Sequence, residues 1–275
     1  MKFTLALLMA SAIAAAPMAV HAAEAAPAPA KPSPLTTPAI PGVVAAGTPI
    51  ELIAQGFDGT EGVVARRDGT IVFCEKEADR LLALDAKGKT SLLSDKGNRC
   101  IGLGIDLKGN IIATQSRNPR IGILSPTDKV LADSYDGKPL LKPNDLIVDT
   151  KGGIYFSDQK PKPGKGGEQA DPTAHSRLFY LRHDGKLTVA SDAVAQPNGV
   201  QLSQDGKTLY AVNAPNIDAF DVAPDGTLSN QRRFADVDGD GMAVDEKGRL
   251  YVGLESGTGV QVLAPDGKKL LHRGT

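Results

Sequence analysis

Residues 142–159 read KPNDLIVDTKGGIYFSDQ. From Leu146 onward the stretch reads as two short apolar strands joined by a Gly turn. A carboxamide and a carboxylate, Asn144 and Asp145, stand directly before the first strand. The same pattern recurs along the chain: EGVVARRDGTIVFCE from Glu61, IGLGIDLKGNIIATQ from Ile101, NGVQLSQDGKTLYAVN from Asn198 and DGMAVDEKGRLYVGL from Asp240. Equivalent positions fall at 62, 102, 145, 199 and 241, with steps of 40, 43, 54 and 42 residues. A period in the forties built from short strands predicts a β-propeller.

Each unit carries a second hairpin, as in RLLALDAKGKTSLL, RLFYLRHDGKLTVA, IDAFDVAPDGTLSN and VQVLAPDGKKLLH. Their Xaa-Gly turns supply the positive φ that tight hairpins need. Two hairpins per unit make four strands, which is one blade. Helical periodicity is nearly absent. The expectation is an all-β chain of the six-bladed propeller type, with five blades evident and the last incomplete at KKLLHRGT. Residues 49–56, PIELIAQG, are the candidate for one outer strand of a closing blade, and truncation is preferred over an open or five-bladed ring. An open ring would expose sheet edges.

The longest step contains QKPKPGKGGEQADPTAHS, residues 159–176, rich in Gly, Pro and Lys. It reads as a surface loop, either a binding loop or a neutral insertion. At the other end, MKFTLALLMASAIAAAPMAVHA combines Lys2, an apolar run and Val20-His21-Ala22. This is the pattern of a secretory signal peptide over residues 1–22. Residues 23–48 are rich in Ala and Pro, which predicts an unpacked linker. The propeller domain is expected over 49–275, in a protein exported to a periplasm or secreted.

A formal net charge of −1 gives no electrostatic case for nucleic acid. Cys74 and Cys100 form either a disulfide, which an oxidising compartment permits, or two buried thiols. His175, His183 and His272 are too scattered for a zinc site.

The slot before each blade's first strand holds Glu61, Ile101, Asn144, Asn198 and Asp240. First strands of propeller blades line the central channel, so these five residues converge on one mouth. Four are oxygen donors. Hard cations such as Ca²⁺ take oxygen ligands of this kind, and the absence of His and Cys argues against a soft metal. Asn-Gly and Asp-Gly could also be simple turn formers, but Glu61 is a poor turn residue.

PNDLIVDTKGGIYFSD, PNGVQLSQDGKTLYAVN and DGMAVDEKGRLYVG together resemble the gluconolactonase, senescence marker protein (regucalcin) and lactonase-like family, over Glu61 to about Gly267. The resemblance implies a six-bladed propeller with one divalent cation in the channel, commonly Ca²⁺ (Zn²⁺, Mg²⁺ or Mn²⁺ being alternatives), that hydrolyses sugar lactones or related esters. It implies Glu61, Asn198 and Asp240 as metal ligands and Asn144 as a further ligand or substrate-binding group. Asp240 doubles as general base, and Asp145 supports the site from behind. Lys142 is either a substrate contact or a solvated charge. Val63 and Ala65 replace the Pro and Trp usual in the family's EGPVW, and Ile101 stands where an Asn is frequent, so the channel wall is altered. No G-x-S-x-G elbow is present, in keeping with metal-assisted hydrolysis rather than a serine esterase. The expected partner is a small lactone or ester. A non-catalytic exported propeller that binds a ligand or protein is the alternative.

Overall fold

The computed structural model describes residues 35–161, 173–256 and 259–270. The expected signal peptide, the first part of the linker and most of the 159–176 insertion lie outside the described residues.

Every described regular element is a strand. The first blade is β1 (Thr60–Ala65), β2 (Ile71–Glu75), β3 (Arg80–Leu84) and β4 (Thr90–Ser94). The second is β5 (Cys100–Ile105), β6 (Ile111–Gln115), β7 (Arg120–Ser125) and β8 (Lys129–Ala132). A small hairpin follows, β9 (Ser134–Tyr135) and β10 (Lys138–Pro139). The third blade is β11 (Pro143–Val148), β12 (Ile154–Asp158), β13 (Arg177–Leu181) and β14 (Leu187–Ser191). The fourth is β15 (Pro197–Leu202), β16 (Thr208–Asn213), β17 (Asn216–Val222) and β18 (Leu228–Ala235). The fifth is β19 (Gly239–Val244), β20 (Leu250–Leu254) and β21 (Val260–Leu263).

Within each blade the strands pair antiparallel in chain order. Chemistry at the turns explains why. In Asp85-Ala-Lys-Gly the Asp85 carboxylate accepts the N–H groups of Lys87 and Lys89, both at 2.9 Å. The same arrangement recurs at Asp106, Asp149 and Asp245. The Gly in each case takes the positive φ that reverses the chain.

Inner strands pack side by side in the order β1, β5, β11, β15, β19; no comparable packing joins β19 to β1 among the described residues. Apolar residues form four buried clusters, one between each successive pair of blades. Val72, Leu81 and Ala83 of the first blade, for example, meet Leu103, Ile111 and Ala113 of the second. A blade therefore has no core of its own; it buries its faces on its neighbours. That dependence is the physical reason for repetition. The five blades expected from the repeat are all formed.

Cys74 and Cys100 are bonded, with Cα atoms 5.8 Å apart. The bridge links the end of β2 to the start of β5, tying the first two blades together beside the channel mouth.

Two local expectations change. Residues 49–56 join no strand among the described residues: Pro49 bridges Thr36, the Ile50 N–H donates to the Leu35 carbonyl at 2.9 Å, and Ile53 lies against the Gly88 turn of the first blade. Ile50, Leu52 and Ile53 remain exposed. Second, the part of the Ala/Pro-rich stretch that is described is not unpacked. Ile40 is buried and bridges Val44, and the Gly42 carbonyl accepts a hydrogen bond from the Arg249 guanidinium of the fifth blade. The second hairpin of the fifth blade is reduced to β21 and a single bridge from Leu263 to Lys269.

Candidate metal centre at the channel mouth

All five inner strands break register at the same place. The pairing shifts between Glu61 and Val63, Cys100 and Leu103, Pro143 and Leu146, Pro197 and Val200, and Gly239 and Met242. In the second to fifth blades the slot residue lies inside the interruption; in the first, Glu61 is the last paired residue, opposite Cys74, and Gly62 is the one passed over. A bulge lifts residues out of the ladder and re-aims their side chains, which is why bulges cluster at barrel rims and active sites. Ile101, Asn144, Asn198 and Asp240 thus occupy equivalent bulges around one mouth, and Glu61 stands at the edge of the corresponding bulge in the first blade.

The residue after the slot explains how close the strands come. A Cβ added to Gly62 would lie 2.1 Å from the Ile101 carbonyl oxygen. One on Gly102 would lie 2.8 Å from that of Asn144, and one on Gly199 would lie 2.2 Å from that of Asp240. In each case the slot backbone of the next blade fills the space, so only Gly fits. The third blade is the exception. Asp145 stands there, and its carboxylate accepts the Val200 N–H of the next blade at 2.9 Å. Its own N–H donates to Ser157 Oγ at 3.1 Å. Thr114 makes the analogous link in the second blade, donating to the Asn144 carbonyl at 2.5 Å and accepting the Gly102 N–H at 2.7 Å.

Asp145 reports on its neighbours. Its carboxyl is raised to about 7, chiefly by burial and in lesser part by the charges of Asp240 and Glu61, against backbone hydrogen bonds from Val200 and Leu146 that favour the anion. Three carboxyl groups from three blades therefore share one electrostatic neighbourhood. Asp240 is exposed, whereas Asp145 lies behind.

Asn198 carries the clearest mark of a missing partner. Its Oδ1 is buried and, among the described residues, accepts no hydrogen bond. Its Nδ2 faces Glu255 Oε2 at 3.5 Å. A buried carbonyl oxygen without a donor costs about 1–3 kcal/mol unless something else binds it. A cation at the mouth would do so, and the all-oxygen donor set suits a hard one. Among the described residues no group of three or more His, Cys, Asp and Glu side chains forms a metal cage; the set here is a mixture of carboxylates and carboxamides. The residues present fit a divalent cation on these grounds.

A cavity of about 680 Å³ opens next to Asn198, lined also by Gln159, His175, Asp238 and Glu255. Glu61, Asn144 and Asp240 lie outside its lining. Lys142 is fixed through its backbone: its N–H donates to Asp158 Oδ1 at 2.7 Å and its carbonyl accepts from Gln159.

Two features escaped the sequence reading. One is Lys76, whose ammonium pairs with Glu61 Oε1 at 2.6 Å. The other is a set of polar residues ending the second strands, buried in the first three blades and half-buried at Asn213 in the fourth. Glu75 accepts the Asp58 N–H, Gln115 donates to the Gly97 carbonyl, Asp158 accepts from Leu141 and Lys142, and Asn213 accepts the Gln196 N–H. Each pins the loop that leads into its blade's inner strand. The signal was available, since FCE, ATQ, FSD and AVN all end an apolar strand on a polar residue.

Fold and site define a propeller with an oxygen-lined channel mouth. Residues 59–273 match the SMP-30/gluconolactonase/LRE-like region, and the chain belongs to that family. A gluconolactonase from Zymomonas mobilis is 28% identical over 272 residues, covering 85% of this chain and 74% of that protein. A pentonolactonase from Haloferax volcanii is 27% identical over 177 residues, covering 62% and 57%. Among solved structures, a gluconolactonase from Xanthomonas campestris superposes with a TM-score of 0.71 at 30% identity, covering 79% of this chain and 76% of that one. A calcium-binding regucalcin from Agrobacterium tumefaciens, at 17% identity and TM-score 0.64 over 79% and 75% of the two chains, shares the fold.

Proposed function

We propose that the protein hydrolyses sugar lactones or related cyclic esters at the channel mouth, with a divalent cation of the Ca²⁺ type held by Glu61, Asn198, Asp240 and Asn144. The observation that carries this reading is the set of aligned bulges with, among them, the buried Oδ1 of Asn198, which accepts no hydrogen bond among the described residues. The lactonase relatives support the substrate class.

When bound, such a cation polarises a lactone carbonyl and stabilises the charge that develops on its oxygen. The protein's own part is positioning and proton transfer. Asp240, exposed at the mouth, accepts a proton from the attacking water as general base. Asp145, half-buried behind it, fixes the register between the third and fourth blades through Val200. Asn144, in the bulge of β11, and Lys142, just before that strand, are the groups offered to substrate hydroxyls. The N-terminal 22 residues support action outside the cytoplasm.

The test is Asp240→Asn. The variant is expected to keep its melting temperature within a few degrees and to lose lactone hydrolysis by at least about a hundredfold, the lower end of the contribution of a general base. Full activity would remove Asp240 from that role.

A further inference from the structure

The contact between Lys76 and Glu61 is not what a dedicated cation site calls for. Lys76 Nζ lies 2.6 Å from Glu61 Oε1, and both side chains are largely shielded from solvent, at 22% and 29% exposure. The lysine is held in place by its backbone. Its N–H donates to the Gly59 carbonyl at 2.9 Å, and the preceding Glu75 is locked by the Asp58 N–H and by Arg80. In the ladder Glu75 faces Thr60 and Cys74 faces Glu61. Lys76 therefore leaves β2 beside the slot of β1, and its ammonium is tethered next to the carboxylate.

We propose that Lys76 is a competing cation built into the site, which sets the affinity for the divalent ion. The proposal rests on the reading of Glu61 as a metal ligand. Without the ion, Glu61 shares its surroundings with Asp145 and Asp240, and among the described residues Lys76 supplies the one short ion pair made to Glu61. An incoming divalent cation must displace the ammonium from Oε1 or sit beside it. Either route lowers its affinity, because like charges repel at this distance and the displaced ammonium must find water instead. The consequence is a site in which the Glu61 charge is neutralised when no ion is bound, and which binds its ion weakly and exchangeably.

The experiment is calorimetric titration of CaCl₂ into chelator-stripped protein: wild type, Lys76→Met, Lys76→Gln, Lys76→Arg and Glu61→Gln. Lys76→Met and Lys76→Gln are expected to bind Ca²⁺ at least tenfold more tightly than wild type. Lys76→Arg should stay within about threefold, since the charge is kept. Glu61→Gln should bind more weakly. Thermal melts give a second readout: without Ca²⁺ both uncharged variants should melt below wild type, and with saturating Ca²⁺ that deficit should shrink or reverse. Equal or weaker binding by both uncharged variants, together with weakened binding by Glu61→Gln, would overturn the proposal and leave Glu61 a ligand. Binding by Glu61→Gln equal to wild type would remove the ligand assignment, and the competition with it.

Discussion

Asp158 gives a prediction whose size follows from its surroundings. It ends β12, is almost wholly buried, and its carboxylate accepts the Leu141 N–H at 2.9 Å and the Lys142 N–H at 2.7 Å. Burial raises its carboxyl to about 6 from the usual 3.8; the two backbone N–H groups and Arg177 pull the other way. A carboxyl group whose folded value is raised favours the fold below the unfolded value of 3.8, and that contribution is lost as pH rises through about 6. A shift of about two pH units corresponds to about 3 kcal/mol at 1.36 kcal/mol per unit. Asp158→Asn removes the titration. It also points an amide N–H at a backbone donor, a cost independent of pH. The assay is urea unfolding of both proteins at pH 7 and pH 4. Wild type is expected to gain about 2–3 kcal/mol relative to Asp158→Asn on going to pH 4. A difference that does not change with pH would refute the reasoning. So would a change of opposite sign. Because Asp158 holds Leu141 and Lys142, the variant should also lose activity at neutral pH through displacement of the approach to Asn144.

Removing the Cys74–Cys100 bridge by a double Cys→Ala change frees a loop of sequence separation 26. Loop entropy puts the loss at about 3.5 kcal/mol, read from urea unfolding. Gly199→Ala places a methyl 2.2 Å from the Asp240 carbonyl oxygen, whereas a Cβ at Gly241 meets nothing within 4 Å. Gly199→Ala should therefore cost about 1–3 kcal/mol as overpacking, while Gly241→Ala should stay within about 0.5 kcal/mol, both by thermal melting.

Much of this was legible in the chain itself. The spacing of the five Gly-turn hairpins determines the blades, because strand length and turn chemistry are local properties. The common slot of Glu61, Asn144, Asn198 and Asp240 was legible for the same reason, since register within a repeat is read directly. Contacts between blades were not. Nothing in FCEKE announces that Lys76 will reach Glu61, because that depends on how β2 is placed against the bulge of β1. The bulges themselves follow from the neighbouring blade: Gly62 and Gly199 look like turn residues, yet each is Gly because the next strand's carbonyl occupies the space of a side chain. The bonding of Cys74 to Cys100 likewise depends on the first two blades meeting, a separation sequence alone leaves open. PIELIAQG has the composition of a strand but finds no ladder to join, and composition cannot supply a partner.

The most direct measurement is the initial rate of gluconolactone opening by pH-stat, above the spontaneous rate. It is taken with purified protein as prepared, after exhaustive EDTA treatment, and after Ca²⁺ is restored. Enzyme-dependent hydrolysis is expected to fall to the spontaneous rate with EDTA and to return with the cation. A rate that ignores the chelator would contradict the metal-assisted mechanism, and no rate above background with Ca²⁺ present would contradict hydrolysis of this lactone by the channel-mouth site.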